Sequence, residues 1–172
     1  MEHWIPGNDR YIASSDAALR ASLAENGQHP RAVVITCSDS RVIPEAIFDA
    51  GPGELFVIRV AGNVLGPIEL GSVEYAVEHL GCPEIVMLGH TGCGAVGAAL
   101  SGHGGPVVQL VLKAIGAERN ADRAARLNVL YGTGTLQRAF PNTAVHAAIY
   151  DLRSGRVEWL QAPKAEDPDR QD

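Results

Sequence analysis

Five short apolar runs with the character of β-strands are spread along the chain. The first is rich in β-branched residues, and all five are short for a helix and are bounded by glycine, proline or polar residues. Their bounds are 32–35, 54–60, 84–89, 143–150 and 156–160. We therefore expect five strands, with the first and the third buried inside a sheet.

Helical periodicity fills most of the intervals between these runs. Apolar residues recur at three- and four-residue spacing, with capping residues before them and glycine after them. The predicted helices cover about 15–26, 44–48, 68–80, 95–100, 106–117 and 122–130. A looser turn is expected before the first of them. Gly132 and Gly134 predict a break or kink after the last, because glycine disfavours a helix interior.

This order of elements predicts an α/β fold. Alternation of strand and helix is typical of a mostly parallel sheet with right-handed crossovers, here four strands flanked by helices. Turn residues at 151–155 predict a hairpin into an antiparallel fifth strand at the edge. We expect one domain over residues 1–162 and a disordered tail over 163–172.

Composition narrows the possible functions. The 172 residues carry a net charge of −6, which disfavours nucleic-acid binding because that depends on basic patches. No apolar run reaches the roughly 18–20 residues of a membrane span, and the amino end lacks the pattern of a signal peptide. Three cysteines favour metal binding or catalysis over a disulfide framework. We therefore expect a cytoplasmic protein whose partners are small molecules, without nucleic-acid or membrane partners.

Reactive side chains follow the first and the third strand. Cys37, Asp39 and Arg41 stand at every second position, so an extended chain puts all three on one face. His90 and Cys93 follow the third strand in a glycine-rich turn, close enough to bind one metal ion. A single cysteine is more often an inert buried thiol. Two cysteines, a histidine and an aspartate together form a ligand set that zinc prefers.

Taken in order, these motifs resemble a β-class carbonic anhydrase. The similar segments are Cys-Ser-Asp-Ser-Arg at 37–41, Pro-Gly-Glu-Leu-Phe-Val-Ile-Arg at 52–59, Ala-Gly-Asn at 61–63, Ser-Val-Glu-Tyr-Ala-Val at 72–77 and Gly-His-Thr-Gly-Cys-Gly-Ala at 89–95. The resemblance runs from about Gly27 to Leu160. It implies a homodimer or larger homo-oligomer that reversibly hydrates carbon dioxide to bicarbonate and a proton.

The resemblance also implies roles for individual residues. One zinc ion per chain would be held by Cys37, His90 and Cys93, with Asp39 or water as the fourth ligand. In the open state Asp39 would instead pair with Arg41 and accept a hydrogen bond from the zinc-bound hydroxide that attacks carbon dioxide. The residues that would line the substrate cleft are Gln28, Phe56, Tyr75 and Gly94. The first two of these would act across a subunit boundary.

The sequence leaves alternatives open. The same site could hydrolyse carbonyl sulfide or carbon disulfide, or the chain could be a non-catalytic zinc- or bicarbonate-binding protein with Asp39 permanently on the metal. Val34 stands where some members of the family carry a tryptophan of an inhibitory bicarbonate site, although Arg59 of that site is present. Cys82 is in no ligand spacing and is expected to be a bystander.

Overall fold

A five-stranded sheet forms the centre of the computed structural model, which describes Glu2, residues 4–102 and residues 104–161. The strands are β1 (Ala32–Thr36), β2 (Leu55–Arg59), β3 (Glu84–His90), β4 (Ala144–Tyr150) and β5 (Val157–Leu160). They lie in the order β2-β1-β3-β4-β5, with the first four parallel and β5 antiparallel to β4. The predicted fold class and strands are confirmed. The tail predicted over 163–172 lies outside the described residues.

Seven α-helices connect and cover the strands within the described ranges. They are α1 (Trp4–Ser14), α2 (Ala17–Asn26), α3 (Pro44–Ile47), α4 (Pro67–Glu74), α5 (Gly94–Leu100), α6 (Pro106–Ile115) and α7 (Ala121–Ala139). A π-helical turn, Tyr75–His79, continues α4. A short 3₁₀ turn, Ala61–Asn63, follows β2.

The helices differ from the sequence prediction at two places. The looser turn expected before residue 15 is the separate helix α1. The break expected near Gly132 and Gly134 is wrong, because α7 runs through both residues. A Cβ atom on Gly132 would lie 2.2 Å from Cε of Met87 in β3, so the missing side chain lets α7 approach the sheet closely. That packing outweighs the cost of up to about 1 kcal/mol for each glycine in a helix.

The two central strands are buried along nearly their whole length. Every residue of β1 is buried, as is every residue of β3 except Glu84. One face of these strands packs with α7 in the largest apolar core, which includes Val33, Ile35, Ile85, Met87, Val129 and Leu136. Because β1 and β3 are parallel neighbours, their carboxyl ends meet at the same edge of the sheet. The reactive groups predicted from the sequence follow these two ends.

The two amino-terminal helices bury little of their surface. No residue of α1 or α2 is fully buried. On α1, Trp4 is 81% exposed, Ile5 61%, Tyr11 48% and Ile12 51%. These four positions recur on one side of a helix, so α1 presents an apolar face that the described chain does not cover. No helix in the described residues combines the length and apolar character needed to cross a membrane.

We expect Gly89→Ala to lower the free energy of unfolding by about 1–3 kcal/mol through overpacking. The new Cβ would lie 2.4 Å from Cγ2 of Val129 in α7 and 3.0 Å from Cδ1 of Ile149. Both neighbours are buried, and a β-branched valine cannot easily turn aside. Urea unfolding measures the change.

Gly134→Ala is the matched control for that substitution. Its Cβ would meet nothing closer than the end of the Arg138 side chain, at 3.4 Å. Alanine favours a helix over glycine by up to about 1 kcal/mol, so this variant should be as stable as the parent or more stable. Equal stability of Gly89→Ala and the parent would contradict the close packing of α7 on β3.

Candidate metal centre

Three potential metal ligands meet where β1 and β3 end. Cys37 directly follows β1, His90 is the last residue of β3, and Cys93 is the residue before α5. One sulfur or nitrogen atom from each lies within 4.8 Å of the other two, and all three residues are buried. The arrangement follows from the sheet, since Thr36 pairs with Leu88 and the next residues of both strands leave the same edge.

The imidazole of His90 is oriented to use one nitrogen as a ligand. Its Nδ1 lies 2.9 Å from the carbonyl oxygen of Thr91, to which an Nδ1–H can donate. Its Nε2 is buried and has no hydrogen-bond partner in the part of the chain that the structure describes. A histidine that donates through one nitrogen and presents the other without a partner fits a metal ligand. The two sulfurs and this nitrogen match the donor types of zinc sites.

The two sulfurs are close enough to influence each other. Sγ of Cys37 lies 4.0 Å from Sγ of Cys93, and the backbone N–H of Gly62 donates to Sγ of Cys37 at 3.2 Å. Hydrogen bonding from Cys93, assisted by the N–H of Gly62, lowers the pKa of the Cys37 thiol. The same contact, together with burial, raises the pKa of Cys93. The pair therefore holds one thiolate readily, and a second negative charge beside it needs a cation.

Asp39 lies at the edge of this cluster and is bound to Arg41. Its Oδ1 accepts from Nε of Arg41 at 2.9 Å, and its Oδ2 accepts from Nη2 at 2.7 Å. Hydrogen bonding from Arg41 holds the pKa of this carboxyl well below its usual range. Oδ2 also lies 3.9 Å from Nε2 of His90. An ionised carboxylate thus stands beside the metal-ligand atoms with its orientation set by a guanidinium.

The four residues expected to line the substrate cleft are not together in the single chain. Gly94 is the first residue of α5 and follows Cys93 directly. Phe56 pairs with Val33, four residues before Cys37, which is about 13 Å along a strand. Its ring contacts that of Tyr75, with centroids 6.3 Å apart. Gln28 is exposed in the segment before β1.

Gly62 lies in the turn after β2 and contributes to the metal centre, a role that no motif in the sequence indicated. This residue has a positive φ of 70°, and a Cβ on it would lie 3.0 Å from Cβ of Ala95 and 3.1 Å from Cγ2 of Val111. Only glycine combines this backbone conformation with so little space. Asn128 of α7 donates to the carbonyl oxygen of Gly62 at 2.8 Å and secures the turn. The signal in the sequence was a glycine in the short turn that follows β2.

The chain is similar to known carbonic anhydrases. Residues 32–155 match the family model described as carbonic anhydrase. A carbonic anhydrase of Pseudomonas aeruginosa is 38% identical over 185 residues, covering 88% of this chain and 81% of that protein. Carbonic anhydrase 2 of Mycobacterium tuberculosis is 52% identical over 101 residues, covering 55% of this chain and 48% of that protein. The chain thus spans about half the length of the mycobacterial relatives that it matches.

A solved structure extends the similarity to the fold. One of two tetrameric β-carbonic anhydrases of Sordaria macrospora matches with a TM-score of 0.76 and 29% identity. The match covers 92% of this chain and 95% of that chain. The segments that carry the three potential ligands lie inside the region matched by the family model.

We expect purified protein to contain about one zinc ion per chain and Cys37→Ser to lose most of it, since a serine hydroxyl is a poor substitute for a thiolate ligand. Cys82→Ser is the matched control. This third cysteine is also buried, but its Sγ donates to the carbonyl oxygen of Pro30 at 3.4 Å and it is not in the ligand cluster. Elemental analysis measures the zinc content of both variants. Full zinc content in Cys37→Ser would contradict the assignment of Cys37 as a ligand.

Proposed function

Because this chain belongs to the β-carbonic anhydrase family, we propose that it catalyses the reversible hydration of carbon dioxide to bicarbonate and a proton. The observation that carries the proposal is the buried cluster of Cys37, His90 and Cys93 beside the Asp39–Arg41 pair. The cluster supplies a site for the zinc that this family uses. The pair supplies an oriented hydrogen-bond acceptor next to it.

The cluster would hold the metal, and the Asp39–Arg41 pair would orient the reacting water. Zinc, when bound, supplies Lewis acidity, which lowers the pKa of water and makes a nucleophile available near neutral pH. Arg41 occupies both oxygens of Asp39 with hydrogen bonds, and each carboxylate oxygen has a second lone pair for another donor. Oδ2, the oxygen that lies near His90, then accepts a hydrogen bond from the reacting water. That contact points the attacking lone pair toward substrate.

The alternatives from the sequence have less support. The relatives that match are named carbonic anhydrases, which favours carbon dioxide over carbonyl sulfide or carbon disulfide. A non-catalytic metal protein would have Asp39 on the metal, whereas this carboxylate is bound to Arg41. The three cysteines are free thiols, a state that favours a reducing compartment, so we retain the cytoplasm as the proposed location.

We further propose that the chain acts as a homodimer or larger homo-oligomer. The apolar face of α1 needs a partner, and the related Sordaria macrospora proteins are tetramers. In such an assembly Gln28 and Phe56 of one subunit line the cleft over the metal of another. Tyr75, whose ring contacts that of Phe56, would accompany them. This proposal accounts for residues that resemble cleft residues and yet are separated from the metal cluster along the sheet within one chain.

Asp39→Asn should retain zinc and lower kcat/KM for carbon dioxide hydration by about 10²-fold or more. Asparagine lacks the second anionic oxygen and cannot replace the carboxylate as an acceptor for both Arg41 and water. Stopped-flow measurement with a pH indicator gives the rate. Asp49→Asn, at an exposed aspartate outside the cluster, is the control and should be unchanged. Normal turnover in zinc-loaded Asp39→Asn would refute the role of this carboxylate.

Replacing Trp4 and Ile12 together by glutamate should dissociate the assembly, because two charges would then stand on the apolar face of α1. The reversed charge in Arg10→Glu is the matched control, since Arg10 lies on the opposite side of the same helix. Analytical ultracentrifugation should show monomers for the double variant and the intact assembly for Arg10→Glu. The hydration activity of the double variant should also be reduced. An unchanged sedimentation coefficient would exclude α1 from the interface.

A further inference from the structure

A cavity of about 140 Å³ lies between α6, α7 and the segment that follows the 3₁₀ turn. An engineered protein cavity of about 150 Å³ admits benzene, so this one has room for about six non-hydrogen atoms. None of the three metal-ligand residues lines it. Much of its wall is apolar, with Leu65, Met87 and Leu110 among the lining residues.

The polar part of the wall offers donors without partners. Asn63 lines the cavity and is 2% exposed, and its Nδ2 has no hydrogen-bond partner among the described residues. Lys113 lies at the mouth, and its ammonium forms no hydrogen bond or ion pair with any described residue. The hydroxyl of Tyr131 is likewise unpaired within the described part of the chain. The lining contains no aspartate or glutamate. Lys113 and Tyr131 are exposed, so their donors are open to water and to a ligand, whereas Nδ2 of Asn63 is buried in the wall. A cation with no carboxylate beside it favours an occupant that is negatively charged and accepts hydrogen bonds.

We propose that this cavity binds a short-chain aliphatic monocarboxylate. A carboxylate only accepts hydrogen bonds, so it complements Lys113 and Tyr131, and its charge matches the ammonium. A hydrocarbon chain of a few carbons fills the remaining volume against the apolar wall. A divalent cation would meet donors and a like charge, and a second carboxylate on the ligand would have to lie against Leu65 and Met87 without a partner.

The cavity shares a wall with the metal centre while remaining separate from it. Asn63 directly follows Gly62, whose N–H donates to Sγ of Cys37 at 3.2 Å. Its Oδ1 also lies 3.7 Å from the position that a Cβ on Gly89 would take, next to His90. A ligand in the cavity therefore lies beside Asn63, the residue next to the amide that holds one of the metal-ligand sulfurs. The proposed carboxylate site is distinct from the site of the proposed reaction.

Met87 provides a direct reporter of occupancy. The chain contains two methionines, Met1 and Met87, so zinc-loaded protein labelled with ¹³C-methyl methionine gives at most two protein methyl signals, and Met87→Leu assigns them. Titration with butyrate should shift the Met87 signal saturably. Lys113→Gln should weaken the affinity by about tenfold or more, because a charge-assisted hydrogen bond is lost. Arg119→Gln, which removes a cation outside the cavity lining, should leave the affinity unchanged.

A second variant distinguishes butyrate binding in the cavity from butyrate binding at the metal. Ala114 lines the cavity, and Ala114→Leu should fill it and abolish the shift, whereas butyrate bound at the metal would be unaffected. Retained butyrate binding in folded Ala114→Leu would overturn the proposal. So would equal affinity in Lys113→Gln and the parent, or the absence of a saturable shift in the parent. These measurements do not depend on turnover, so they test ligand binding independently of whether the protein hydrates carbon dioxide.

Discussion

The parallel pairing of β1 with β3 is the constraint on which the metal centre depends. Thr36 pairs with Leu88, so Cys37 and His90 leave neighbouring strands within two positions of each other. A shift of one residue would turn one of these side chains to the opposite face of the sheet. Both strands are buried almost throughout, and the fit of β3 to α7 at Gly89 and Gly132 opposes such a shift. Core packing thus sets the distance between the ligands.

The electrostatics of the cluster, like its geometry, favour a bound cation. Two thiols lie 4.0 Å apart in a buried site, in a chain whose net charge is already −6. The amide of Gly62 and the thiol of Cys93 help to stabilise one thiolate at Cys37, and this in turn keeps the proton on Cys93. Ionising both sulfurs requires a nearby positive charge greater than the chain supplies there. A dication bound by the two sulfurs and Nε2 satisfies that requirement.

Much of this arrangement could be predicted from the sequence because local and tertiary preferences agree there. The β-branched runs at 32–35 and 84–89 form central strands, and the reactive residues after them meet because parallel strands end together. The continuity of α7 could not be predicted in this way, since Gly132 is favoured by close packing on Met87 of β3, a residue distant in sequence. The role of the Gly62 amide could not be predicted from the sequence either, because a backbone donor leaves no pattern of side chains.

The orientation of Asp39 depends on a residue of the neighbouring strand as much as on its ion pair. The side chain of Arg41 is 60% exposed, and an exposed ion pair by itself adds little to stability. Arg59 at the end of β2 donates through Nη2 to the carbonyl oxygens of Asp39 at 2.7 Å and Val42 at 2.9 Å. The N–H of fully buried Val42 in turn donates to the carbonyl oxygen of Asp39 at 3.0 Å. These bonds fix the backbone between Asp39 and Val42, so the carboxylate and Arg41 meet in a loop whose shape is already set.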